Sequence, residues 1–322
     1  MSLYILRRLL LMIPLVLGIS LISFGAMQLA PGDYVDQLKQ NPSIKPATLA
    51  RLRRDFGLDK PPIQQYGLWL YRAVAKRDFG ESFTYHQPAF ELIGSRIYYT
   101  FILSLWSLVL SWLLAIPLGV YTATHRNSFL DRVFNFGAFA GISLPSFFVA
   151  LLALILAQRT GWFPVGGAQS SDYDNFSRWS KILDTGRHLI LPVLVLGLGG
   201  VAGLMRQMRG NLLDVLSDNY ILAARARGVS ERQVVWKHAT RNAINPLITL
   251  AGYQLSGLLA GAALVENVMA WPGLGRLLLE SVQTQDLYVS MASFVMGAVL
   301  LIVGNLISDL LLVVSDPRIK FS

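Results

Sequence analysis

A chain of 322 residues that is 53% hydrophobic and only 15% charged lies outside the range of soluble domains, which carry roughly 25% charged residues. It contains no cysteine, which excludes disulfides and Cys-ligated metal sites. Its net charge of +9 is not a nucleic-acid footprint, because the basic residues sit in loops between apolar segments, as the positive-inside rule expects.

Six stretches of the chain are long enough to cross about 30 Å of hydrocarbon. They lie near Leu9–Leu29, Phe101–Tyr121, Val133–Ala157, Leu189–Met205, Leu247–Met269 and Val289–Val314. The expected fold class is an all-α polytopic membrane protein with six transmembrane helices. The fourth stretch is short, glycine-rich and opened by Pro192. With the N-terminus inside, the short inner segments carry Arg7, Arg8, Arg126, Arg132, the basic run from Arg206 to Arg241, Arg318 and Lys320. The short outer loops carry only Arg159, Arg178, Lys181, Arg187 and Arg276. Both termini are therefore expected on the cytoplasmic side of the cytoplasmic membrane. Arg7-Arg8 followed by an apolar run could also open a signal peptide. The run continues to Leu29 without a clean Ala-x-Ala site, which favours a retained first span.

Between the first and second spans lies a long outer segment, expected to form a small helical insertion. Leu49, Leu52 and Phe56 share one helical face, which Gly57 ends. Ile63, Tyr66, Leu70 and Val74 share another after Pro61-Pro62. The segment is either a cap over the spans or a surface that meets substrate. The expected division is 1–94 for the first span with its insertion, 95–314 for the transmembrane core, and 315–322 for a cytoplasmic tail.

Pro117 and Pro145 interrupt the second and third spans, as static kinks or as hinges. Gly137, Gly141, Gly197, Gly199, Gly200 and Gly203 permit close packing in lipid.

The most polar stretch, Asn219 to Pro246, sits between apolar ones and carries Arg225, Arg227, Arg232, Lys237 and Arg241. Tyr220 to Arg227 favours helix, and Gly228 can take the left-handed conformation that ends it. Ser230 and Gln233 form a Ser-x-x-Gln capping box for a second helix running through His238. A compact basic knob is expected, suited to docking in a partner's groove. After the fifth span, Trp271 is an interfacial anchor by type, and Pro272, Gly273 and Gly275 force a turn. That turn either joins two spans or gates the outer mouth. In the last span Asn305 and Asp309 are pathway candidates, because an ionisable residue there is costly unless it faces protein or water. Asp309 could equally be hydrated near the inner interface.

These blocks resemble the dipeptide/oligopeptide permease family of binding-protein-dependent ABC importers, B-type subunit. Ala223-Ala224 and Gly228 match the Glu-Ala-Ala-x-x-x-Gly loop, with Leu222 where the Glu would stand. Leu29 to Asp33, Phe56 to Pro61, Gln65 to Leu70, Phe79 to Ser82, Ser143 to Phe147, Trp271 to Arg276 and Asp316 to Arg318 are similar to that family's wording, in its order. The resemblance implies a type I ABC importer permease fold with a periplasmic insertion and a coupling loop near 206–245. It implies Ala223, Ala224, Arg225, Arg227, Gly228, Ser230, Glu231 and Arg232 as the ATPase-coupling residues. Trp271, Pro272, Gly273, Asn305 and Asp309 are the gate or pathway candidates. The implied partners are a C-type permease subunit, two ATP-binding subunits, a periplasmic or lipid-anchored solute-binding protein, and membrane lipid. The cargo is peptide by default, although related permeases carry nickel chelates, glutathione and other small solutes.

No cofactor, metal site or nucleic-acid partner is expected. The chain has no Gly-x-x-x-x-Gly-Lys-(Ser/Thr) phosphate loop, so it should not hydrolyse ATP itself, and no hydrolase motif. His86, His125, His188 and His238 fall on separate loops. An ion-coupled secondary transporter is the alternative, but it would carry more ionisable residues at mid-membrane. An intramembrane enzyme would need a nucleophile and a base within reach inside the bundle.

Overall fold

A chain surrounded by hydrocarbon must satisfy its backbone within each segment, and helix is the local way to do so. The computed structural model describes residues 2–39, 44–248, 250, 251, 254 and 262–315, and for 2–9, 142 and 308–315 the backbone alone. Among the described residues the only extended pairing is an isolated bridge, Glu81 with Pro88. The rest is helix and turn. Four segments, Leu10–Leu38, Ala89–Thr124, Arg178–Leu216 and Leu287–Ile307, are long and apolar enough to cross a membrane, and a bent pair makes up to five. The middle of the expected span Leu247–Met269 lies outside the described residues, as does the tail from Asp316.

Two compact units arise from the chain. The first comprises Met1–Thr100 with Pro272–Leu300. It holds α1 (Ser2–Leu29), α2 (Tyr34–Leu38), α3 (Pro46–Asp55), α4 (Pro62–Tyr71) and the first turns of α5 (Ala89–Thr124). Asp33 starts α2 with a reciprocal capping box, its Oδ1 accepting the Asp36 N–H at 2.7 Å. Arg53 on α3 donates to Asp33 (2.8 Å) and Asp36 (2.9 Å), tying α3 to that cap. The centre of the unit is aromatic. Phe56 stacks on Phe83 at 4.2 Å between centroids, and Phe24, Trp69 and Met291 pack around them.

The expected stripe on α4 is only half right. Tyr66 and Leu70 pack inward, but Ile63 and Val74 are 82% and 74% exposed. Trp69 is buried instead, its Nε1–H donating to the Phe79 carbonyl at 3.1 Å. From Arg72 to Lys76 the helix widens into a π-turn, so the 3.6-residue spacing that aligned Val74 no longer applies.

The second unit comprises Phe101–Trp271 with Leu301–Ser322. The expected third span is broken into α6 (Phe129–Ser143) and α7 (Ser146–Thr160), bent by 103°. Leu144 and Pro145 between them are extended, because a proline disfavours helical geometry in the residue before it. Pro117 and Pro192, by contrast, lie inside unbroken helices. The fourth span is far longer than expected: α8 runs Arg178–Leu216, and Pro192 sits in its interior. Arg178, Lys181, Arg187 and His188 are therefore helical rather than on a loop. His188 is buried, its Nδ1 2.9 Å from the Asp184 carbonyl.

Helices α5 and α8 pack closely through glycine, but not through the Gly199-x-x-x-Gly203 motif, whose two positions face open space. Added Cβ atoms at Gly197 and Gly200 would meet Leu110 and Ser111 of α5 at 2.8 and 2.7 Å. The tightest approach is at Gly119, where a Cβ would lie 2.6 Å from that of Met208.

Candidate functional site

The polar stretch after α8 folds back on the end of that helix. It comprises α9 (Asn219–Ala226), α10 (Glu231–Gln233), a π-helical segment Val234–Ala239, and α11 (Thr240–Ala243). Gly228 ends α9 as the sequence suggests, with φ +79°. Its N–H donates to the Arg225 carbonyl at 2.9 Å, and the Val229 N–H to that of Ala224 at 3.2 Å. This reciprocal pair is a Schellman motif, which requires the left-handed conformation at its turn residue.

The underside of the knob is apolar and fully packed. Ile221, Val234 and Ala239 are completely buried in one cluster with Met208 and Leu212 of α8 and Ala123 of α5. Burying side chains such as Ile and Val is worth about 1.5–3 kcal/mol each, so the knob is firmly seated on the helices beneath it. Polar ties hold its edges. Asn242 donates to the Tyr220 hydroxyl at 2.7 Å, linking α11 to α9. Asn211 of α8 donates to the Ala243 carbonyl at 3.1 Å.

The outward side carries the expected residues. Ala223, Arg225, Arg227, Gly228, Ser230, Glu231 and Arg232 are exposed, and only Ala224 turns partly into the cluster. Arg225 grips Glu231 across the turn with two hydrogen bonds, Nε to Oε2 at 3.1 Å and Nη2 to Oε1 at 2.6 Å. The pairing holds the Glu231 carboxyl below its ordinary value and the Arg225 guanidinium above its own. Both side chains are well exposed, so the pair contributes about 0.2–1 kcal/mol. Its effect is to fix the shape of the turn more than to stabilise it.

One expected detail fails. Ser230 stands at the start of α10, but its side chain makes no capping bond. The backbone closes the turn instead, with the Gln233 and Val234 N–H groups donating to the Ser230 carbonyl at 2.9 and 3.0 Å. Ser230 and Gln233 are both exposed, so solvent competes for the hydroxyl and the amide. The second helix does run through His238, and it continues through the π-helical segment into α11.

The sequence reading missed a buried polar node in the same unit. Asp131, 4% exposed, accepts from Arg209 at 3.2 Å, from the Asn135 amide at 2.6 Å and from the Asn127 N–H at 3.0 Å. It ties the start of α6 to α8. Half of this was findable: Ser128-x-x-Asp131 is a capping signature, and the Ser128 hydroxyl does accept the Asp131 N–H. The partner on α8 has no local signal.

The gate candidates are divided between the two units. Trp271 belongs to the second, with Asn305; Pro272 and Gly273 belong to the first. Trp271 is not an interfacial anchor: its side chain is fully buried, and its backbone N–H donates to the Glu266 carbonyl at 2.8 Å. Helix α12 (Ala263–Val268) precedes it. Gly273 starts α13 (Leu274–Gln283), whose first N–H donates to the Thr100 hydroxyl at 2.7 Å. Asn305 is half-buried on α14 (Leu287–Ser315). The Asp309 side chain lies outside the described residues. Among the described residues no three acidic or histidine side chains gather as a metal site.

Residues 115–321 match the family described as binding-protein-dependent transport system inner membrane component, and residues 1–104 match the model of its N-terminal part. The chain is similar to the oligopeptide transport system permease protein AppB of Bacillus subtilis, at 40% identity over 323 residues, covering 100% of both chains. It is also similar to the dipeptide transport system permease protein DppB of Alkalihalophilus pseudofirmus, at 32% identity over 332 residues and 99% of each chain.

Proposed function

The chain belongs to the family of binding-protein-dependent transport system inner membrane components, and on that premise we propose that the knob around Gly228 is where an ATP-driven motor grips it. The protein is a membrane permease component of a peptide transport system. We read it as the B-type subunit, paired with a C-type permease subunit, two ATP-binding subunits and a periplasmic or lipid-anchored solute-binding protein. On this reading six spans leave both termini in the cytoplasm, with 1–94 as the first span plus its periplasmic insertion, 95–314 as the transmembrane core and 315–322 as a cytoplasmic tail.

The observation that carries the coupling role is the contrast between the two sides of the knob. Its underside is locked into α8 and α5, while its outward side presents Arg225, Arg227, Glu231 and Arg232 with no packing duty. A force on the exposed side is therefore delivered to two long helices rather than absorbed by a loop. Alternating access follows: ATP-driven closure of the motor moves the knobs of both permease subunits, and the spans switch between their outward- and inward-facing arrangements. Trp271, Pro272, Gly273, Asn305 and Asp309 remain the candidates for the gate and pathway.

The natural chain lacks cysteine, so Ser230→Cys introduces a single thiol. In the assembled transporter it should cross-link to an ATP-binding subunit, and an impermeant maleimide should not reach it in intact cells. Labelling from outside, or an assembled complex without a cross-link, overturns the coupling role.

A further inference from the structure

A groove of about 1040 Å³ lies beside the knob, between it and the end of α5. That is at the top of the range for small-ligand pockets, about 300–1,000 Å³. Its lining combines apolar side chains, Pro117, Leu118 and Phe134, with Arg126, Arg232 and Trp236. Glu231 also lines it, but Arg225 already holds that carboxylate. Arg126 and Arg232 are exposed and enter no ion pair among the described residues. His125 and Tyr121 stack face to face at 4.5 Å beside them.

The position along α5 matters. From Pro117 to Thr124 the helix rises about 10 Å, and the apolar run of this span ends at Tyr121. The groove therefore starts among the acyl chains and opens at the level of the headgroups. Tyr121 and Trp236 are the amphipathic aromatics typical of that level.

We propose that this groove holds one anionic phospholipid. Its phosphate lies against Arg126 and Arg232, and an acyl chain runs along Pro117, Leu118 and Phe134. A free phosphate ion would satisfy the arginines but leave the apolar lining uncovered. A zwitterionic phospholipid would cover that lining and offer a phosphate, but its own ammonium would offset the charge and leave the two guanidinium groups incompletely balanced. The proposal rests on the placement of the knob at the cytoplasmic face, where the anionic leaflet attracts juxtamembrane arginines.

The test is native mass spectrometry of the assembled transporter in mixed phosphatidylglycerol and phosphatidylcholine, with retained lipid counted. Phosphatidylglycerol should be retained selectively. Arg126→Gln should weaken retention about fivefold, and Arg126→Lys should restore most of it, which a merely structural role for the side chain would not do. Excess inorganic phosphate should not displace the lipid. Equal retention of both lipids, displacement by phosphate, unchanged retention in Arg126→Gln, or retention only after the ATP-binding subunits are removed each overturns the proposal. The Ser230→Cys labelling reports the side of the membrane separately, so a failed lipid result and a failed orientation are told apart.

Discussion

Replacing Gly228 tests the knob directly. The residue sits at φ +79° with no atom within 4 Å of where a Cβ would go. Gly228→Ala thus meets no clash, only the cost of a left-handed backbone for an L-residue, about 1–2 kcal/mol. That weakens the formed turn about 5- to 30-fold. Gly228→Pro is of another order. The ring fixes φ near −65° and removes the N–H that bonds Arg225, and the cost in a hydrogen-bonded position is about 3 kcal/mol or more. Ile221, Val234 and Ala239 still anchor the underside, so the segment should remain attached while its outward shape is lost. The assay is ATP-dependent peptide uptake by the reconstituted complex, with membrane insertion and co-purification of the ATP-binding subunits measured in parallel. Uptake should fall partly in Gly228→Ala and be abolished in Gly228→Pro, with insertion and assembly retained. Normal uptake by Gly228→Pro would refute the coupling role; loss of insertion would show that the turn serves folding instead.

Gly119→Ala should cost about 1–3 kcal/mol through overpacking against Met208, read as a lower unfolding temperature in detergent, whereas Gly203→Ala should cost little. Met208→Gly removes the opposing Cβ, so a double-variant loss smaller than the sum of the two single losses would confirm the contact, and additive losses would count against it. Arg209→Met leaves the buried Asp131 carboxylate without its cation and should cost about 3 kcal/mol; an unchanged unfolding temperature would remove the node from the fold. Asp286, 1% exposed, accepts from the Ser82 hydroxyl at 2.6 Å and from the Thr84 N–H at 3.1 Å. Burial pushes its carboxyl above the usual value of 3.8, so the folded state binds the proton more tightly than the unfolded one. Its contribution is then full below that value and is lost as pH rises through the raised folded value. Asp286→Asn should abolish this decline, and identical pH–stability curves for the two proteins would refute it.

Much of the site was readable locally. A glycine that alone tolerates positive φ, an Ala- and Arg-rich run before it and a basic stretch after it define the knob without reference to any other part of the chain. The Ser230 cap failed because an exposed hydroxyl has solvent as a competitor, which sequence spacing does not record. Trp271 was misjudged for a related reason: its type permits either a boundary or a core, and only neighbours choose.

The sequence by itself determined the membrane class, the helical character and the left-handed turn at Gly228. Each depends on composition, on periodicity or on the torsions of one residue. The tertiary structure alone decided which glycines face a neighbour, that Arg209 meets Asp131 across 78 residues, and that Asp286 holds Ser82 across 204. In a helix that is apolar all round, lipid and protein are equally good company for most side chains. No amphipathic stripe then marks the buried face, and the choice is made only when another helix arrives.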